Sequence, residues 1–422
     1  MSLAHNPFVR DIPRLVRPVD AQFSNALDAD KAIVRLIGPR RVGKTDMVSA
    51  FARTHGVPLL SVTLKAIPTD VTHPGDIVLS LLDKELENLE HMPTAMHRKL
   101  QAAYVAIARK DSRTTSRSLG SELGAAFAGL SAKLTALRRD DQSPPPVRHT
   151  DPDIEVAYRL RALELAAGKL RIRPIVLFDE IQELALARPE VPTVWAIRNE
   201  IQHHTACRYV FAGSNQRLFS RLDSGPRAPL LLLGSSLSVP PLSSEEVDEW
   251  AVPLFRRGGR RVDSLFAATS LMAGKIGEVT EVCAALWDAS RSGDTLHDNL
   301  QRDALLAAVL KHNAGLPPIR GLSARQTHVL RYVALNPGVN PMTRMNTATV
   351  DMNPGTIKRS LDALMTAGLI ECFSDNHYTL ATPLLTLAAL HPVALREPLR
   401  RISVGIATEA MGRTRQGTRP KL

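Results

Sequence analysis

Aromatic side chains are scarce in this chain. Phe, Tyr and Trp make up 4% of its 422 residues. The abundance of Leu, Ala and Arg leans toward helix over sheet. Cysteine is scarcer still. Cys207, Cys283 and Cys372 stand far apart and lack metal-ligand spacing. That argues against a disulfide scaffold or a zinc site and for a reduced, cytoplasmic protein whose thiols act as small hydrophobes. Long apolar runs are missing too. The most apolar stretch, APLLLLGSSLSVPPL at 228–242, is broken by Gly, Ser and Pro, so no membrane span is expected. The N-terminal MSLAHNPFVRDIPRL has no apolar core and no small-residue cleavage site, unlike a secretory signal. Acidic charge is short in two places. Residues 96–139 carry nine Lys/Arg against two Asp/Glu, and 396–422 carry seven against two, within a total net charge of +11. Positive charge localised in this way suggests a polyanion, nucleic acid foremost. The plainer reading is Arg that merely solubilises. With 44% hydrophobic residues, the chain suits two or three domains, each with ample core.

The first positive signal is LIGPRRVGKTDM at 36–47. KAIVRLIG (31–38) reads as a strand, and TDMVSAFART (45–54) as a helix with Met47, Val48 and Phe51 on one face. The segment between them, Gly38, Pro39, Arg40, Arg41, Val42, Gly43, Lys44 and Thr45, matches the phosphate-binding loop G-x-x-x-x-G-K-[ST] in full. Gly38 and Gly43 permit backbone angles that aim successive N–H groups at a phosphate. The helix N-terminus, which includes Asp46, adds partial positive charge. Lys44 is placed to reach the β- and γ-phosphates, and the Thr45 hydroxyl to ligate Mg²⁺.

RIRPIVLFDEIQEL at 171–184 supplies the acidic partner. Ile175 to Phe178 form a near-continuous apolar run, as in a buried parallel strand. Asp179 and Glu180 follow at its carboxyl end, where ligands bind in an open α/β sheet. Asp179 is expected in the Mg²⁺ shell, and Glu180 as the group that orients and activates the attacking water. A third strand, CRYVFAGSNQRLF at 207–219, ends in Ser214 and Asn215. These residues either touch the γ-phosphate or the water, or simply cap the next helix.

GPRRVGKT, IVLFDEIQEL and VFAGSN together resemble the AAA+/STAND-type P-loop ATPases of the archaeal-type group, close to the origin-recognition initiators. The resemblance spans roughly 31–290. It implies an α/β fold, a P-loop NTPase with a parallel sheet and flanking helices, followed by a helical lid. It also implies an ATPase that is slow or stimulated by a partner. The implied boundaries are an N-terminal strap (1–30), the ATPase core (31–242, with an insertion at 84–153) and the lid (243–314). PLLLLGSSLSVPPLSSEEVDEWAVPLF at 229–255 resembles the last core strand leading into that lid. By the same resemblance, HNPFVRDIPRLVRPVD (5–20) packs over the adenine, and Arg217, Arg221 and Arg227 are candidates for an arginine finger acting on a neighbouring subunit. One departure stands out. Gly274-Lys275-Ile276-Gly277-Glu278 replaces the usual Gly-Asn/His-Pro turn and looks more like the AAA+ regulators of DNA transposition. Lys275 is then either a lid sensor of the phosphates or a solvated lysine. Arg40 and Arg41 either touch phosphate or face solvent.

Within the insertion, 76–110 reads as one helix, and 154–168 as another beyond the Pro-rich SPPPVRHTDPD. Residues 109–141, small and basic, are either an arm for DNA or a partner subunit, or a surface loop. Past the linker GLPPIRG (315–321), residues 315–393 read as a winged helix-turn-helix: a helix at Ala324–Leu335, a short one near 343–350, a third at Pro354–Ala367, and a hairpin from LIECF and HYTLA. The third helix offers Thr356, Lys358, Arg359 and Ser360 to a DNA major groove, and His377 is an outside candidate for reaching the nucleotide. Residues 394–422 are a basic tail that adds nonspecific phosphate attraction.

The expected function is an ATP- and Mg²⁺-dependent AAA+-like ATPase that assembles as a homo-oligomer in its ATP state. It acts on double-stranded DNA through the winged helix. The alternative is a STAND-type exchange switch, for example in phage defence, that works through a protein partner without DNA.

Overall fold

The computed structural model describes residues 6–9, 12–29, 32–64, 73–87, 94–116, 151–187, 191–214, 216–225, 227–311, 321–343, 350–374 and 377–389. The stretch 117–150, the short helix expected near 343–350 (all but Val350 at its end and residue 343 at its start), Asn215 and the basic tail lie outside these residues. For 109–116 and Arg217, only the backbone is described.

The core runs α1 (Pro18–Asp28), β1 (Ile33–Ile37), α2 (Lys44–His55), β2 (Leu59–Thr63), α3 (Pro74–Glu87), α4 (Thr94–Ser116), α5 (Pro152–Leu170), β3 (Ile175–Asp179), α6 (Glu183–Ala187), α7 (Pro192–Ile201), β4 (Arg208–Gly213), α8 (Gln216–Asp223) and β5 (Ser235–Ser238). The five strands form one parallel sheet in the order β2-β3-β4-β1-β5. A buried strand alternates its side chains between two covered faces, and β3 and β4 do so. Ile175, Leu177, Val210 and Ala212 pack with Phe23, Met47, Val48 and Phe51 on one face. Val176, Phe178, Tyr209 and Phe211 pack with Leu82, Leu160, Leu163 and Val194 on the other. The Phe178 and Phe211 rings stack with centroids 5.4 Å apart. Register brings Ile37 beside Gly213, and Asp179 beside Ala212, so three strand ends open on one edge of the sheet.

One expectation needs correction. The single helix over 76–110 is two helices, α3 and α4. A proline at 93, just before α4, lacks the N–H that a continuing helix requires. The last core strand lies within the stretch at 229–255, after its leucine run. Leu230 and Leu233 are buried in the preceding turn, and the strand is the polar SSLS. A short polar strand suits a sheet edge, because it offers little to a wrong partner.

Beyond the sheet lie α9 (Ser244–Arg257), α10 (Phe266–Thr269), α11 (Ile276–Ala289), α12 (Asp298–Lys311), α13 (Ala324–Leu335), α14 (Pro354–Thr366), β6 (Ile370–Ser374), β7 (His377–Leu380) and α15 (Pro383–Ala389). Strands β6 and β7 pair antiparallel. A capping box at Ser243 and Glu246 starts α9, and Asn353 caps α14 ahead of Pro354. One hydrophobic cluster runs through all of this, from Trp250 and Phe255 through Val279 and Leu286 to Leu330, Leu361 and Leu380. The N-terminal segment joins it. Phe8 sits among Trp250, Phe255 and Trp287, and Trp250 Nε1 donates to the Pro13 carbonyl at 2.8 Å. No described helix is long and apolar enough to cross a membrane.

Candidate nucleotide site

The loop between β1 and α2 turns through two left-handed residues, Arg41 at φ 62° and Gly43 at φ 90°. Glycine adopts that region freely, whereas arginine there is held against its preference. Gly38 serves a different need from the one expected. A Cβ at that position would meet the Val239 carbonyl oxygen at 2.2 Å, so Gly38 permits close approach to the chain leaving β5. Lys44 opens α2 and is buried, with Nζ donating to the Gly38 and Pro39 carbonyls at 2.7 and 2.8 Å. Burial lowers its pKa, opposed by the nearby charges of Glu180, Asp179 and Glu371. Its ammonium therefore closes the loop on itself.

Thr45 Oγ1 donates to Asp179 Oδ2 at 2.7 Å. A hydroxyl and a carboxylate at that separation are two hard oxygen donors able to share one small cation. No described group of three or more His, Cys, Asp or Glu could hold a metal. Mg²⁺ takes one or two protein oxygens of this kind and completes its shell with water and phosphate. Asp46 is exposed on the first turn of α2.

Glu180 stands at φ 58°, a strained position for a non-glycine residue, of the kind that clusters at working sites. Ser214 Oγ donates to Glu180 Oε2 at 2.5 Å, and Gln182 Nε2 donates to the same oxygen. Gln182 is fully buried. Arg40 Nε reaches Ser214 Oγ at 3.3 Å, and its Nη2 lies 3.9 Å from Glu183. The order β3-β4-β1 explains this gathering, since β4 carries Ser214 between the loop and the acidic pair.

Other candidates lie elsewhere. Arg41 is not free for phosphate: its Nη1 donates to Glu278 at 2.8 Å and Glu281 at 2.9 Å, both on α11. Lys275 is not a solvated lysine. It is fully buried, and its Nζ donates to Glu371 and to the carbonyls of Leu380 and Ala381 at 2.6 and 3.0 Å. Burial lowers its pKa, and Glu371 opposes that shift. Arg221 and Arg227 are exposed. On α14, Lys358 and Arg359 are exposed and Thr356 is half-buried, but Ser360 is buried and not available outside.

Sequence reading missed several groups. Arg17 is buried and donates to the carbonyls of Val42 at 3.0 Å and Pro240 at 3.1 Å, tying the N-terminal segment to the loop. Glu278 is buried between Arg41 and the Leu384 N–H (3.0 Å), and burial raises its pKa against the pull of Arg41. Glu371 accepts from the Arg40 backbone N–H at 3.3 Å. Only Glu371 left a trace in the sequence, an acid inside the apolar strand LIECF. The hairpin meets the loop through this residue of β6, while His377 opens β7.

The sheet order, the loop from β1 to α2 and the acidic pair ending β3 define a P-loop NTPase of AAA+-like fold. No family model matches the sequence, and no curated protein does. Solved structures do resemble it. The Walker-type ATPase PABY2304 of Pyrococcus abyssi has TM-score 0.51 at 16% identity, covering 92% of this chain and 98% of that one. The Aeropyrum pernix ORC2 protein, in ADPNP and ADP complexes, has TM-score 0.47 at 14% identity, covering 96% and 98%. The Aeropyrum pernix ORC1 protein in complex with DNA has TM-score 0.40 at 13% identity, covering 94% and 97%. The first likeness supports the fold and nothing beyond it. The other two are too distant to add to it.

Proposed function

We propose that the protein binds ATP with Mg²⁺ and hydrolyses it, and that nucleotide state governs the helices and hairpin beyond the sheet. The observation that carries this reading is the pair of contacts at the sheet edge, Thr45 to Asp179 and Ser214 to Glu180. Lys44 exchanges its loop carbonyls for the β- and γ-phosphates. Thr45 and Asp179 would hold the metal, which would supply neutralisation of charge on the phosphate oxygens. Glu180 orients the attacking water and takes its proton, while Ser214 and Gln182 fix the carboxylate. Such chemistry is mostly positioning and charge stabilisation.

Double-stranded DNA is the favoured partner, engaged through a C-terminal winged helix. Exposed Lys358 and Arg359 on α14, followed by the β6–β7 hairpin, support this. ATP-state assembly into a homo-oligomer goes with it, and exposed Arg221 and Arg227 are available as cations in trans. One observation favours the second reading, an exchange switch acting through a protein partner: Lys275 and the loop amide of Arg40 are both engaged by Glu371 of the C-terminal hairpin.

The test is direct. Lys44→Ala abolishes binding of a fluorescent ATP analogue. Glu180→Gln binds it normally but loses about 10²-fold or more in turnover. Parental turnover by Glu180→Gln overturns the assignment of the water-activating group. DNA-stimulated ATPase activity supports the first reading, and flat activity with nucleotide retained through purification supports the second.

A further inference from the structure

The C-terminal hairpin places a carboxylate on a loop built to bind anions. Glu371 Oε2 accepts from the Arg40 N–H at 3.3 Å, and its Oε1 is held by Lys275. The end of the loop it occupies can be identified. The Arg40 side chain touches Ser214, and Ser214 touches Glu180, the group assigned to the attacking water. Water attacks the terminal phosphate, so Arg40 marks the γ end of the site. Lys44, which serves the β- and γ-phosphates, also feels the charge of Glu371.

We infer that Glu371 is a specificity-determining residue that disfavours the triphosphate relative to the diphosphate, and that its expulsion by the γ-phosphate releases the C-terminal hairpin from the loop. This rests on the nucleotide-binding reading above. Two anions cannot share one set of donors in a partly buried site without strong repulsion. A diphosphate leaves the γ end to Glu371, whereas a triphosphate does not. Once displaced, Glu371 no longer neutralises Lys275. That lysine is fully buried, and its remaining acceptors are the carbonyls of Leu380 and Ala381. A buried ammonium without its carboxylate is costly, so the hairpin contact loosens with it. Coupling of this kind is reciprocal: what weakens the hairpin contact tightens ATP binding.

The test uses the full chain and two fluorescent nucleotides, an ADP analogue and a non-hydrolysable ATP analogue. Wild type favours the diphosphate. Glu371→Gln keeps the size and the acceptor oxygen but removes the charge. It raises affinity for the triphosphate analogue about tenfold and changes diphosphate affinity by less than about twofold. An unchanged ratio of the two affinities overturns the inference while leaving the binding site intact. If wild type binds neither nucleotide, the nucleotide-binding reading falls and the inference falls with it. Hydrogen exchange on the unmutated chain gives a second measurement that needs no variant. The triphosphate analogue speeds exchange across 370–389, including the Leu384 amide that donates to Glu278, and the diphosphate does not. Equal protection by both nucleotides overturns the release step.

Discussion

Glu164, on α5, accepts the backbone N–H groups of Thr205, Ala206 and Cys207 at 2.6, 2.8 and 2.7 Å. Burial raises its pKa, but these three amides outweigh burial and hold it below the usual carboxylate range. A carboxyl with a depressed folded pKa stabilises fully above its unfolded value, and that stability is lost as pH falls through the folded one. Glu164→Gln puts an N–H where an amide donor needs an acceptor. It is expected to cost about 1–3 kcal/mol at neutral pH. The gap in melting temperature between wild type and variant should shrink as pH drops below the usual carboxylate range. A gap independent of pH would mean the loss comes from packing. This residue carries no motif. Its role follows from the turn that α5 meets before β4, and no local pattern announces that.

Among the elements, the phosphate loop depends on the chain leaving β5. A Cβ at Gly38 would meet Val239 O at 2.2 Å, and backbone cannot yield as a flexible side chain does. Gly38→Ala should cost about 1–3 kcal/mol and weaken nucleotide binding, measured by denaturant unfolding and by titration. Gly56 is the control. It ends α2 at φ 61° with open space around it, and Asn tolerates that region, so Gly56→Asn should lose less than about 1 kcal/mol. Both glycines follow simple signals, but only Gly56 does what its local context suggests. Strand–loop–helix order was legible because apolar periodicity changes from two to about 3.6 across the loop. The split of α3 from α4 follows Pro93, whose break the apolar spacing from Ile77 to Leu89 outweighed in the sequence.

For the whole molecule, the prediction concerns polyanion binding. Lys358→Ala and Arg359→Ala should each weaken duplex binding across sequences and lower the salt slope by about one. Binding curves at several salt concentrations check this, and unchanged slopes would move the DNA contact elsewhere. Light scattering with and without a non-hydrolysable ATP analogue and a short duplex tests assembly. A mass that rises only with both supports the DNA-dependent reading, and a constant mass supports the switch.

Lys44, Thr45, Asp179 and Glu180 could be nominated from the linear chain because each lies at a boundary encoded by its immediate neighbours. A β-branched run must end, a glycine-rich turn must follow, and polar groups at strand ends must face the open edge. Gln182, Arg17 and Glu278 had no such neighbours to announce them, and Glu371 had only its place in the apolar LIECF. Glu371 meets Arg40 across 331 residues of chain, and Lys275 meets Ala381 across 106. Contacts of that span follow from how helices bury their apolar faces against one another. Many sequences share that periodicity, and only the packed core selects which charged groups end up face to face.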